Sequence, residues 1–372
     1  MTDVTRLDLG SDIVDLTAAI CDIHSVSGDE AELADAVEAA LAGAAHLATI
    51  RDGNTVIART DLGRDERVVL AGHLDTVPLT DPPNLPTRVE SGPEGPELWG
   101  RGTVDMKGGV AVQLRLAHLL EAPNRDITFV FYDCEEVEAE RNSLTRIGST
   151  RPELLEGDFA VLLEPTRALV EGGCKGTLRA EVTTRGVAAH SGRPWMGENA
   201  IHAAAPILTR LAEYTPREVD VDGLLYREGM SAVGIEGGIA TNVIPDSCTV
   251  SVNYRFAPDI DEAAAEAHVR ELFDGFEVTI TDSAGGARPG LDRPAALAFV
   301  EAIGGEVSAK QGWTDVARFS ALGVPAVNFG PGDPLLAHKD DERCPLDQLR
   351  AAEQALLRWL GGESTAHAAP PE

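Results

Sequence analysis

The sequence predicts an α/β fold into which a smaller α+β domain is inserted. Three observations carry this reading. The first half alternates short β-rich apolar runs with segments of helical period. Near Cys174 the texture changes to alternating strands around one helix, with a second helix further on, and after Pro289 the α/β texture returns. The 372 residues suffice for two domains of ordinary size. The expected division is 1–173 with 289–360, an inserted domain at 174–288, and a small, polar, disordered tail at 361–372.

Ser27-Gly-Asp-Glu30 reads as a capping box that opens a helix running to about Leu41. Arg67–Ala71, Ile127–Tyr132 and Phe159–Leu163 are short apolar runs bounded by polar residues or glycine, the pattern of buried strands. Thr80–Glu97, rich in Pro, Glu and Gly, reads as an exposed loop, and Gly108–Leu120 as a helix. In the insertion, Thr177–Thr184, Ser231–Ile235, Cys248–Phe256 and Val278–Thr281 are strands. Ala200–Tyr214 and Asp261–Phe273 are helices, and Ser283–Pro289 is a linker. Helix Pro294–Ile303, strand Ala326–Phe329 and helix Leu346–Leu360 complete the chain, with no internal repeat.

Composition narrows the function. Sixty-one acids against 31 bases give a formal charge of −30, which repels nucleic acid and anionic membranes. No window approaches the roughly 18 apolar residues of a membrane span, and the N-terminus lacks the basic start and apolar run of a signal peptide. Five scattered cysteines without a CxxC pair suit reduced thiols in a cytoplasm. The partners expected are small molecules.

The chemistry gathers at strand ends. His73 closes the first central strand in Gly72-His-Leu-Asp-Thr-Val-Pro78, and in extended backbone Asp75 shares its side. A carboxylate so placed is a usual partner for the far nitrogen of a metal-ligating imidazole. Glycines on both sides of Asp105 in Gly100-Arg-Gly-Thr-Val-Asp-Met-Lys-Gly-Gly109 allow a tight turn that aims its carboxylate inward. No GxxxxGK[ST] or GxGxxG is present, which removes the phosphate-loop reading. Strand Ile127–Tyr132 runs into Glu135-Glu136, Phe159–Leu163 into Glu164, and His338 follows Ala326–Phe329. Open α/β sheets form their sites at the carboxyl ends of strands. Two histidines with three or four carboxylates and no thiolate suit a pair of zinc ions, with one carboxylate bridging and one free as a base. Residue type alone leaves the pairing of ligands open. The other histidines (His24, His46, His118, His202, His268 and His367) read as surface or satisfied core residues.

These motifs, with Arg185-Gly-Val-Ala-Ala-His-Ser-Gly-Arg-Pro194 and Gly197-Glu-Asn-Ala-Ile201, resemble the di-zinc aminoacylase/carboxypeptidase-type amidohydrolases, most of all their actinobacterial desuccinylase branch. The resemblance covers nearly the whole chain. It implies a zinc-peptidase-like catalytic domain with a mixed sheet flanked by helices, and an inserted lid that also pairs two subunits. It implies two zinc ions per subunit, with cobalt a substitute: His73 and Glu164 on one, Glu136 and His338 on the other, Asp105 bridging. Asp75 would orient His73. Glu135 would take a proton from the attacking water and return it to the leaving amine. His190 matches a lid histidine that steadies the oxyanion in the partner's site. Asn242, Arg255, Lys175, Thr314 and Gly332 match substrate-facing positions, with Arg179 and Arg193 as further lid cations.

The activity implied is hydrolysis of N-succinyl-L,L-2,6-diaminopimelate to succinate and diaminopimelate, on the route to lysine and cell wall. Acetylornithine deacetylases and other N-acyl-amino acid amidohydrolases or dipeptidases share the ligands and form the alternative. An inactive ligand-binding relative is a third reading, opposed by the intact Glu135. One departure stands out: no glycine follows Glu136 until Gly148, where many relatives have a glycine-rich loop.

Overall fold

The computed structural model describes residues 5–361, and the tail expected to be disordered lies outside them beyond Gly361. The chain forms two compact units. The first comprises the chain up to Gly172, Gly290–Ser308 and the chain from Arg318; the second comprises Gly173–Pro289 and Ala309–Ala317.

An eight-stranded mixed sheet organises the first unit, in the order 48–52, 55–59, 126–132, 67–73, 159–162, 326–328, 170–172, 307–309. The four central strands, Asp126–Tyr132, Arg67–His73, Phe159–Leu162 and Ala326–Asn328, are mutually parallel. They are almost wholly buried, which is why they read as unbroken apolar runs rather than alternating ones. Helices Ile13–Cys21, Ala31–Leu41, Lys107–Leu119, Pro294–Ile303 and Leu346–Gly361 bury apolar faces in the same core. There Phe159, Phe299, Phe329 and Trp359 meet edge to face or tilted. Because the central strands run the same way, the residues that follow them emerge at one edge of the sheet.

A four-stranded antiparallel sheet organises the second unit, in the order Gly229–Gly237, Ser247–Phe256, Gly176–Arg185, Glu277–Ala284. Leu178, Ala180, Val182, Val250, Val252 and Tyr254 face a core closed by residues of the helices, among them Ile207, Ala265 and Val269. The intervening positions, including Arg179, Asn253 and Arg255, lie on the opposite face.

Several local expectations are corrected. Ser27 is not a helix cap: the helix starts at Ala31, and the Ser27 hydroxyl donates to Asp75 Oδ2 at 2.7 Å instead. Thr80–Glu97 is not all loop. Arg88–Ser91 and Pro96–Trp99 form strands and pair, the latter also with Arg343–Pro345, a long-range partnership that composition does not reveal. The segment 200–214 breaks into Ala200–Ala203 and Ala205–Ala212 because Pro206 opens a new helix. The supposed linker begins inside strand Glu277–Ala284, and Ala287 bridges to Cys174.

Candidate metal centre

His73 is the last residue of its strand and is fully buried. Its Nδ1–H donates to the backbone carbonyl of Asp75 at 3.0 Å, which aims Nε2 at Asp105, 3.2 Å away. The Asp75 carboxylate is farther from the ring, with Oδ1 at 3.5 Å from Nδ1. It is engaged elsewhere, accepting the backbone N–H groups of Glu135 at 3.0 Å and Glu136 at 3.1 Å.

Asp105 stands between the two imidazoles. Oδ1 lies 3.2 Å from His73 Nε2 and Oδ2 lies 3.2 Å from His338 Nε2, which is also 2.9 Å from Glu136 Oε1. Ligand atoms of His73, Asp105 and Glu164 lie within 4.8 Å of one another, and so do those of Asp105, Glu136 and His338. Two candidate three-ligand sets therefore share one carboxylate. Glu135 belongs to a third grouping with His73 and Glu136.

Local backbone explains the aim of these groups. Gly100 and Gly102 have φ of +148° and +84°, values that β-carbons disfavour, and they fold the turn that presents Asp105. The Glu342 carboxylate accepts the N–H of Val104 at 3.0 Å and of Asp105 at 3.1 Å. Buried Lys107 donates to the carbonyls of Ile20 and Ile23. Gly330 packs on the backbone after the third central strand: a β-carbon there would lie 2.4 Å from Leu163 O and 2.7 Å from Glu164 O. Gly332 has φ +95° and donates its N–H to Gln348. His338 holds φ +63°, a strained value for a non-glycine residue.

The electrostatics call for a cation. Burial pushes the Glu136 carboxyl up, and the charge of Asp105 adds to it. Burial opposes ionisation of Asp105 too, but hydrogen bonds from His338 and His73 hold it well below the usual carboxylate range. His338 is pushed up to about 10 by hydrogen bonds to Asp105 and Glu136. Burial disfavours the charged form of His73, yet Asp105 and Asp75 raise it overall. Among the described residues no arginine or lysine pairs with Asp105 or Glu136, so protons on the two imidazoles are the available compensation. Metal ions would take their place. The donor set, imidazole nitrogen and carboxylate oxygen without sulfur, fits zinc. Cys134 lies with Glu30 and Asp133, and burial and Glu30 push its thiol up to about 12.

The second unit brings together two of its candidates. His190 pairs with Val243, Ser191 donates its N–H to Asn242 O, and Gly192 N–H donates to His190 Nδ1 at 2.9 Å. With Nδ1 accepting, Nε2 of the exposed ring is the nitrogen left to donate. Lys175 is nearly buried and donates to Arg227 O at 2.7 Å; burial and the charge of Arg255 push its pKa down. Arg255 is lowered by burial and by Arg179. Thr314 is buried in the same unit. Sequence reasoning missed Ser27, Arg101 and Glu342 as supporting residues. Arg101 was marked only by lying in the glycine-flanked string and Glu342 only by following His338 closely, while Ser27 was read as a helix cap.

Residues 69–361 match peptidase family M20/M25/M40. The chain is 55% identical over 359 residues to a Mycobacterium tuberculosis protein named "Putative succinyl-diaminopimelate desuccinylase DapE", covering 96% of this chain and 100% of that one. It is 46% identical over 365 residues to the succinyl-diaminopimelate desuccinylase of Corynebacterium glutamicum, covering 95% and 97%. An M20-family metallo-carboxypeptidase of Sulfolobus solfataricus has the same fold, with TM-score 0.76 at 17% identity over 94% of this chain and 98% of that one.

Proposed function

The chain belongs to peptidase family M20/M25/M40, and from that premise we propose that it hydrolyses N-succinyl-L,L-2,6-diaminopimelate to succinate and L,L-diaminopimelate, serving lysine and diaminopimelate synthesis. The observation that carries the chemistry is Asp105 facing both His73 and His338, so that two ligand sets share one carboxylate. The near-full-length similarity to the two desuccinylases carries the substrate.

His73 and Glu164 would hold one zinc ion, Glu136 and His338 the other, with Asp105 between them. Two such ions would supply Lewis acidity to the amide carbonyl and acidify the attacking water. Glu135 accepts that water's proton and delivers it to the departing nitrogen, so the C–N bond breaks to a carboxylate and an amine. Asp75 fixes both His73, through its carbonyl, and the backbone of Glu135, through its carboxylate. His190, with Nε2–H left to donate, steadies the oxyanion in the partner subunit's site. Asn242, Arg255, Lys175 and Thr314, with Gly332, recognise the substrate; the cations among them offset the field of a protein that carries −30.

The protein acts as a cytoplasmic homodimer joined through its second unit. Among the described residues no helix is long and apolar enough to cross a membrane, and all five cysteines are free and buried. Strand Gly229–Gly237 is an edge strand with Val233 and Ile235 exposed, which favours pairing with a second copy. Sedimentation giving a monomer at working concentration would remove the dimer.

The deciding experiment is succinate release from N-succinyl-L,L-diaminopimelate by zinc-loaded protein, with N-acetylornithine alongside. Fast turnover of the first, abolished by a chelator, is the expected result. Activity on the second alone would keep the chemistry and replace the substrate.

A further inference from the structure

We propose that the buried Arg101–Glu342 pair is a clamp that fixes the His338 loop to the Asp105 turn and thereby sets the geometry of the Asp105–Glu136–His338 metal site. The inference rests on reading those residues as metal ligands. Both members of the pair are buried, Arg101 at 3% and Glu342 at 2% exposure. Glu342 Oε2 accepts from Arg101 Nη1 at 2.7 Å, while Oε1 accepts from the backbone N–H of both Val104 and Asp105. Arg101 also donates to Lys339 O, and Gly100 N–H donates to Glu342 O. Residues 339–342, immediately after His338, are thus stitched to residues 100–105.

The two ligand sets differ in what else holds them. His73 ends a central strand and Glu164 follows one closely, so the sheet itself fixes their separation. His338 lies ten residues beyond Asn328 at the end of its strand, is half exposed, and holds a left-handed backbone. A ligand on such a loop needs an external tie to stay within coordination distance. A buried ion pair is a poor source of net stability, which leaves registry as the work of this one. Glu342 contacts backbone, not the site carboxylates, so its part is positioning.

The test is zinc binding to purified, full-length protein by chelator competition, read together with melting of the metal-free form. Glu342→Ala is expected to weaken one of the two zinc equivalents about ten- to a hundredfold while changing the other far less. Glu342→Gln keeps a carbonyl acceptor for the two N–H groups and is expected to lose less; it also serves if the alanine variant does not fold. Variants that melt lower but bind both equivalents like wild type would overturn the clamp, leaving Glu342 a purely structural residue. Wild-type protein that takes up fewer than two equivalents would overturn the metal-centre reading itself, and the clamp with it. Because the readout is metal affinity, neither result depends on which amide is cut.

Discussion

Asp75 holds Glu135 in place: Oδ1 accepts the Glu135 backbone N–H at 3.0 Å, from a residue whose carbonyl also orients His73. One residue therefore ties the proposed base to a proposed metal ligand. Asp75→Asn cannot offer two acceptor oxygens to the N–H groups of Glu135 and Glu136. It is expected to lower kcat about 10- to 100-fold and to weaken zinc binding by a similar factor. Unchanged zinc affinity in chelator competition would limit the role of Asp75 to Glu135.

Glu135→Gln keeps shape and removes the proton carrier. The expected loss in kcat is about 10²- to 10⁴-fold with both zinc equivalents retained. Metal analysis beside steady-state kinetics checks this, and near wild-type turnover would end the general-base assignment.

Stripping zinc with a chelator should abolish hydrolysis, and adding zinc or cobalt should restore it. Zinc binds the folded state, so its addition should also raise Tm, by about 2.7 kcal/mol of stabilisation at a hundredfold excess over Kd. A chelator-insensitive enzyme would contradict the metal mechanism.

Gly330→Ala would drive a β-carbon against the carbonyls of Leu163 and Glu164. The backbone must shift, at a cost of about 1–3 kcal/mol, and Glu164 shifts with it. Calorimetry and zinc titration of the same variant should show both losses; a variant with wild-type Tm would show that the contact relaxes freely.

Away from the site, burial opposes ionisation of Asp126, but the N–H groups of Leu62 and Arg64 and the Thr60 hydroxyl hold its pKa below the usual value. A carboxyl depressed on folding stabilises above its unfolded pKa of about 3.9 and loses that contribution as pH falls through the folded value. Asp126→Asn should therefore cost about 2 kcal/mol at neutral pH, with the gap closing below about pH 4. Urea unfolding at neutral and acid pH measures it, and a pH-independent gap would refute the depressed pKa.

The central strands and the strand-end carboxylates were legible because a parallel sheet writes itself as unbroken apolar runs, and an acid at the end of such a run is costly without a cation. The strands at 88–91 and 96–99 were illegible, since their composition is that of a loop and their third partner lies at 343–345. Ser27 misled for a related reason: a serine three residues before a glutamate reads as a cap, and only proximity to Asp75 gives its hydroxyl another partner.

By itself the sequence determined the architecture and the residue types of the site, because periodicity and strand-end placement are local properties of the chain. Only the tertiary structure decided that Asp105 faces both His73 and His338 and that Glu342 reaches Val104 and Asp105. Those relations join residues far apart in the chain, and folding alone sets distances that no spacing along the sequence encodes.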